Sequence, residues 1–309
     1  MKPHSARDAR AALAIVSEQS KSTSENGDEL SRDAEERAME KERALVTWIR
    51  QHAPILVGYS GGVDSAYLAA VALDAVGAEQ TLAVIGRSPS YPDAQWATAR
   101  QVARKFGIPL LEIDTNEMHD PRYTANPTNR CYFCKSVLWD SLIPIAAARG
   151  FATVVDGTNA DDLADHRPGK AAAGERHVAS PLAIVGLSKD EIRFLSRRRA
   201  LPTWSQPSSP CLSSRLPYGT EVTAERLYAV ERAEAALRAL GITGDLRVRY
   251  HGDLARVELS AVELQRWLEP AYASRISSAV RGAGFARVAI DLRGFRSGSL
   301  NILSGVTNA

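Results

Sequence analysis

The chain has 309 residues, 45% of them hydrophobic and 24% charged, which is the balance of a globular protein and more chain than one compact core needs, so two domains are expected. A net charge of +2 gives no general electrostatic case for nucleic acid as a partner. No apolar stretch reaches membrane-spanning length and the first residues lack the apolar core of a signal peptide, so the expectation is a cytoplasmic protein with no membrane contact.

Residues 1–30 are polar and aperiodic, which predicts a mobile tail. From Arg32 to His52 charges interleave with Ala, Met and Leu, as in a helix leading into the apolar run Ile55-Leu56-Val57-Gly58-Tyr59. That run predicts a buried strand, and Ala66 to Val76 predicts a helix. Between them lies Ser60-Gly61-Gly62-Val63-Asp64-Ser65, a glycine turn whose amides can approach an anion at the start of the helix. Ser60 and Ser65 add hydroxyl donors, and Asp64 is placed to hold a magnesium ion bridging phosphates. No lysine follows the turn, which excludes the Gly-x-x-x-x-Gly-Lys-Ser/Thr P-loop. The spacing resembles instead the PP-loop of the ATP pyrophosphatases, so ATP is the expected ligand.

Strands and helices then alternate. Strands are expected at Thr81–Ile85, Leu110–Ile113 and Ala152–Val155, with helices at Pro92–Phe106 and Lys135–Ala148. Ser188 with Glu191 forms a capping box for a helix to about Arg199. This order predicts an α/β fold: a parallel sheet with helices on both faces, binding ligands beyond the carboxyl ends of its strands. Gly86, Arg87 and Ser88, at the second strand's exit, are expected beside adenine. Pro202, Pro207, Pro210 and Pro217 break the pattern, placing a boundary near residue 205: an ATP-binding domain at 31–205 and a smaller α+β domain at 206–309. The latter shows a helix at Ala224–Leu240, strands at Leu246–Tyr250 and Ala255–Leu259, helical segments over Ala261–Ala283 and a strand at Arg287–Leu292. Its 13 arginines, without a lysine, leave two readings open: bidentate recognition of phosphate or carboxylate, or a solvated basic surface.

Three cysteines cannot build a disulfide framework. Cys131 and Cys134 stand at Cys-x-x-Cys spacing on a loop entering a helix, and Cys211 lies far along the chain. An iron–sulfur cluster would use all three and leave one iron open; zinc would need His166 or His177 as well; a redox pair would leave Cys211 without a role. Asp156-Gly157-Thr158-Asn159-Ala160-Asp161-Asp162 follows the fourth strand, offering carboxylates for magnesium and the Asn159 amide for the nucleotide. Arg247 and Arg249 alternate along a strand, so both forks face one side and can clamp a phosphate, with Arg215 and Arg296 as further candidates.

In this order these segments, with Asp165-His166-Arg167-Pro168-Gly169, Pro210-Cys211-Leu212-Ser213-Ser214-Arg215 and Arg296-Ser297-Gly298-Ser299, resemble the ATP-dependent sulfur transferases of the LarE type, which build the nickel-pincer nucleotide cofactor of lactate racemase. The likeness runs from about residue 40 to 303. It implies adenylation of a carboxylate of pyridinium-3,5-dicarboxylate mononucleotide, release of pyrophosphate, and displacement of AMP by sulfur. It also implies a homo-oligomer and one of two sulfur sources: a 4Fe-4S cluster on cysteines matching Cys131, Cys134 and Cys211, or the sacrificed sulfur of Cys211 alone. The presence of Cys131 and Cys134 favours the cluster. A tRNA-thiolating enzyme is the alternative, though the chain shows no RNA-binding module. An ammonia-using ligase or an ATP sensor would leave the cysteines unexplained.

Overall fold

The computed structural model describes residues 31–163, 168–207 and 210–296; the 1–30 tail, Asp165-His166-Arg167, Ser208-Ser209 and Ser297-Gly298-Ser299 lie outside the described residues. Helix α1 (Arg32–His52) starts at Ser31, whose hydroxyl accepts from the Ala34 amide, and turns Ala38, Leu45 and Ile49 inward at helical spacing. Then come β1 (Ile55–Gly58), α2 (Val63–Val76), β2 (Thr81–Arg87), α3 (Asp93–Phe106) and β3 (Leu110–Asp114). After the short α4 (Pro121–Thr124) follow α5 (Arg130–Ala148), β4 (Thr153–Val155), α6 (Pro168–Gly174), α7 (Pro181–Ile184) and α8 (Lys189–Arg198).

The four strands form one parallel sheet in the order β3-β2-β1-β4, with Leu56 of β1 opposite Leu82 and Val154. One face carries Ile55 and Val57 against α1, α2 and α8; the other carries Leu56 and Val84 against Trp139 and Leu142 of α5. Burial on both faces explains why β1 is apolar throughout rather than alternating. The Ala-rich stretch Ala66 to Ala72 lets α2 lie close on that sheet, and Ala66, Ala69 and Ala72 are fully buried.

A second, three-stranded sheet closes the chain. Helix α9 (Ala224–Ala239) precedes β5 (Leu246–His251) and β6 (Leu254–Leu259), an antiparallel pair; α10 (Ala261–Trp267) and α11 (Pro270–Gly282) lead to β7 (Arg287–Ile290), parallel to β6. The expected helical run over 261–283 is split where Pro270 opens a new helix at its first position. Leu227, Val230, Val248, Val257 and Trp267 form this unit's core, which also takes in Tyr123 of α4. Among the described residues no helix is long and apolar enough to cross a membrane.

One boundary differs in a way that matters. Helix α5 begins at Arg130, not Lys135, so Cys131 and Cys134 lie within its first turns and not on a loop. Propensity does not extend this helix through Cys131, Tyr132 and Phe133; packing does, since Arg130 is buried and Phe133 and Cys134 rest on the second core.

Candidate active site

The glycine turn caps β1 and opens α2, at the carboxyl edge of the sheet. Gly61 takes a positive φ of 66°, and a Cβ there would lie 2.3 Å from Ala99 Cβ, so only glycine fits. The Ser60 amide donates to Ser65 Oγ at 3.2 Å, and the Ser60 and Ser65 hydroxyls are 3.1 Å apart. Tyr91 Oη and Gln95 Nε2 both donate to the Ser60 carbonyl, at 2.8 and 2.9 Å, pinning the turn from outside. That carbonyl is thereby turned away from the turn's amides, which stay available to an anion. Gly157, in the loop after β4, approaches so closely that a Cβ would sit 3.0 Å from the Ser65 amide.

That approach brings the second acidic loop to Asp64. Asn159, 3% exposed, donates through Nδ2 to Asp64 Oδ1 at 3.4 Å and exchanges two hydrogen bonds with Asp162. Lys189 Nζ lies 2.6 Å from Asp64 Oδ2, and its own amide donates to Asp161 Oδ2 at 2.7 Å. The pair is half-open to solvent, with side-chain exposures of 21% and 32%. Lys189 is therefore the cation at a carboxylate aimed at the phosphate turn. It had no signal in the turn itself; its place at the first position of α8, inside the Ser188–Glu191 capping box, is what fixes it. At the exit of β2, Gly86 is covered by Leu138 and Thr115, and the Arg87 guanidinium stacks on Trp96 at 3.9 Å.

The three cysteines converge on the same sheet edge. Helix α5 is the crossover from β3 to β4, so its first turn stands beyond the strands' carboxyl ends. Trp139, two turns further, packs on Gly58 at the end of β1, and Lys135 Nζ lies 5.2 Å above the Trp139 ring. The Cys211 segment is tied down by Leu212, whose amide donates to the Ser90 carbonyl at 2.8 Å, and by Ser213, whose hydroxyl is 2.6 Å from Tyr123 Oη. Asn126, fully buried at φ 55°, donates to the carbonyls of Pro217 and Thr220 and accepts from Arg130, which also donates to the Ser213 carbonyl at 3.1 Å. Burial pushes the Cys134 thiol well above its ordinary value, and the charges of Glu117, Cys211 and Cys131 push the same way. Burial works against the Arg130 guanidinium, but Cys211 and Cys131 outweigh it and hold its pKa up. Cys134 thus feels both other cysteines, and Arg130 feels Cys131 and Cys211. Among the described residues no three His, Cys, Asp or Glu side chains are gathered tightly enough to hold a single metal ion.

Arginines line the other side of the Cys211 segment. Val248 points into the second core, so Arg247 and Arg249 face the opposite side together, 5% and 6% exposed. Arg249 pairs with Glu258 at 2.9 Å and donates to the Ser214 carbonyl at 2.9 Å; Glu258 also binds Arg256. Burial, then the neighbouring Arg215, push the Arg247 guanidinium down to about 10; it stays charged at neutral pH beside cations that an incoming anion would relieve. Arg215 is deployed differently. It forms a fork on Glu234 at 2.9 and 3.0 Å and donates to the carbonyls of Pro210 and Cys211. Its charge and donors hold the cysteine loop. Arg296 is exposed at the last described position.

A glycine-rich strand-to-helix turn and three cysteines on one sheet edge, together with the relatives reported next, define an ATP-dependent sulfurtransferase of the PP-loop class. The NAD synthase family profile matches residues 44–127, which is the phosphate turn and the first three strands, and ends before Cys131. The chain is 33% identical over 261 residues to the pyridinium-3,5-bisthiocarboxylic acid mononucleotide synthase of Lactiplantibacillus plantarum, covering 84% of this chain and 94% of that protein. It is 46% identical over 246 residues to an uncharacterized protein of Synechocystis sp., covering 80% and 91%, and 29% identical over 243 residues to one of Methanocaldococcus jannaschii, covering 79% and 91%. The chain belongs to the LarE-type family of sulfur transferases.

Proposed function

We propose that this protein inserts sulfur into pyridinium-3,5-dicarboxylate mononucleotide, converting its carboxylates to thiocarboxylates through an acyl-adenylate. The observations that support the reading are a glycine turn at the carboxyl edge of the sheet, three cysteines drawn together, and a buried arginine pair beside the Cys211 segment. In this scheme Ser60, Gly61, Gly62 and Ser65 grip the departing pyrophosphate at the start of α2. Asp64, steadied by Asn159, takes the magnesium ion, and Lys189 is freed to meet the phosphates. A carboxylate is a poor electrophile, so its oxygen attacks the α-phosphorus of ATP and gains AMP as a leaving group. Arg247 and Arg249 anchor the substrate's phosphate, while Arg215 orients the Cys211 loop. The working form is a homo-oligomer, which light scattering tests.

Three cysteines without a paired histidine motif are the chemistry of a cluster more than of zinc. The Cys134 thiol is raised by burial and by the charges of Glu117, Cys211 and Cys131, and Arg130 feels Cys211 and Cys131, although no three ligating side chains among the described residues are gathered tightly enough for a single metal ion. Cys131, Cys134 and Cys211 would hold a 4Fe-4S cluster, which supplies sulfide from its open iron. Thiols raised by burial favour the thiolate only when a cation accepts it. Protein prepared without oxygen should be brown, with iron and sulfide near cluster stoichiometry, and Cys131→Ala should lose colour and sulfur transfer together. A colourless preparation whose Cys131→Ala variant transfers sulfur once, with Cys211 losing the mass of its sulfur, would instead establish the sacrificial route. Pyrophosphate release dependent on tRNA, and not on the mononucleotide, would overturn the substrate.

A further inference from the structure

Helix α3 walls the phosphate turn from outside, and its start is held by a residue of the other unit. Tyr91 and Gln95, on either side of its first residue, both donate to the Ser60 carbonyl. A turn further on, Ala99 closes on Gly61, and its carbonyl accepts from Tyr59 Oη at 3.2 Å. The first amides of a helix have no partner within it, and Pro92 at the N-cap offers no side chain to supply one. The acceptor is Glu231 Oε1 on α9, 2.6 Å from the Asp93 amide and 138 residues away along the chain. Burial pushes the half-buried Glu231 carboxyl above the usual carboxylate range; the Asp93 amide opposes this, and the Asp93 and Glu234 charges add to it. A carboxylate set beside two others is an expensive cap, since Ser, Thr or Asp at position 92 would do the same locally. What the distant cap adds is a tie. Three residues along the same face of α9, Glu234 takes the Arg215 fork and accepts the Val248 amide at 3.0 Å, between Arg247 and Arg249. One turn of α9 thus grips the helix behind the phosphate turn with one carboxylate, and the arginine strand and the Cys211 loop with the next.

We propose that Glu231 is a positioning residue for the adenylation step: through the start of α3 it sets where the phosphate turn stands relative to Arg247 and Arg249. The inference rests on the sulfur-insertion reading above. In that step a carboxylate oxygen of the mononucleotide forms its bond to the α-phosphorus of ATP as the bond to pyrophosphate breaks, and no proton or electron is exchanged with Glu231. The two ligands are held by different units, so the reacting atoms meet only if the units stand in register. Binding either ligand alone makes no such demand. A misplacement of about 1 Å between reacting groups costs about 10²-fold in rate. Without Glu231 the first turn of α3 loses its acceptor, and Tyr91 and Gln95 hold the turn less firmly against the arginine strand. The bond from the Leu212 amide to the Ser90 carbonyl and those from Asn126 to the Pro217 and Thr220 carbonyls still join the units. The fold therefore survives the loss.

The test uses the full-length protein with ATP, magnesium and the pyridinium mononucleotide, and reads pyrophosphate release, calorimetric binding and Tm. Wild-type protein should release pyrophosphate only with the mononucleotide; failure there would overturn the parent reading and this proposal with it. Glu231→Ala should lower kcat by about 10²-fold, while ATP alone and the mononucleotide alone bind within about twofold of wild type. Glu231→Gln keeps an acceptor oxygen for the Asp93 amide and should recover most of the rate. Adding Pro92→Ser to Glu231→Ala returns a cap to α3 without the tie to α9. That double variant should regain Tm and leave kcat low. Four results would overturn the proposal: wild-type kcat in Glu231→Ala, equal damage in the Gln and Ala variants, recovery of kcat together with Tm when Pro92→Ser is added, or weaker binding of each ligand alone in step with a lowered Tm. Each of them would leave Glu231 as no more than a cap for α3.

Discussion

Two ion pairs in this molecule are built on opposite principles. Asp64–Lys189, at the phosphate turn, has side chains 21% and 32% exposed and a single contact at 2.6 Å. Arg249–Glu258, on the second sheet, has side chains 7% and 1% exposed and is extended by Arg256 on the same carboxylate. Half-exposed pairs are worth about 0–1 kcal/mol because water competes for both ends. A buried pair broken on one side leaves a charge with nothing to answer it. The first pair is thus the easier to open, and the second remains as a frame that holds arginines still.

The largest effect should come from breaking the frame. Glu258→Ala takes the carboxylate from Arg249 and leaves Arg256 with Asp291 alone, and should lower the unfolding free energy by about 3–5 kcal/mol in urea titration. Next comes Asp64→Ala, which should leave stability within about 1 kcal/mol yet cut mononucleotide-dependent pyrophosphate release by about 10²–10³-fold. Equal damage to stability in these two variants would erase the contrast. Arg247→Lys keeps the charge and loses the fork, so calorimetry should show substrate binding weakened by about 1.5–3 kcal/mol with an unchanged fold. Smallest of all, Ser188→Ala removes the cap that sets the start of α8 and should cost about 1 kcal/mol, seen as a lowered Tm.

What the sequence made legible was local. The turn from Ser60 to Ser65 is contiguous, and its strand–turn–helix context is written in the residues on either side. The alternation of Arg247, Val248 and Arg249 announced that both forks share a face, because period two belongs to the strand itself. Lys189 was not legible as a partner of Asp64, since the two are 125 residues apart and meet only when α8 docks beside α2. Arg215 looked like another fork for an anion; its surroundings, Glu234 on α9 and the carbonyls of its own loop, come from tertiary packing. The early start of α5 was hidden for a related reason: contacts with the second core, not propensity, wind its first turn.

That helix also sets a length. Trp139 is fixed against Gly58 at the foot of the nucleotide turn, and Cys131 and Cys134 ride on the same rigid rod. At about 1.5 Å per residue, the rod spaces Cys131 and Trp139 by about 12 Å along its axis. Side chains between them can be exchanged freely as far as this spacing is concerned. A single inserted or deleted residue cannot be absorbed, since each one swings the thiols about 100° around the axis. Descendants of this chain are therefore expected to vary in letters here and never in count, and a designer moving sulfur chemistry onto another nucleotide-binding sheet must transplant the ruler along with the cysteines.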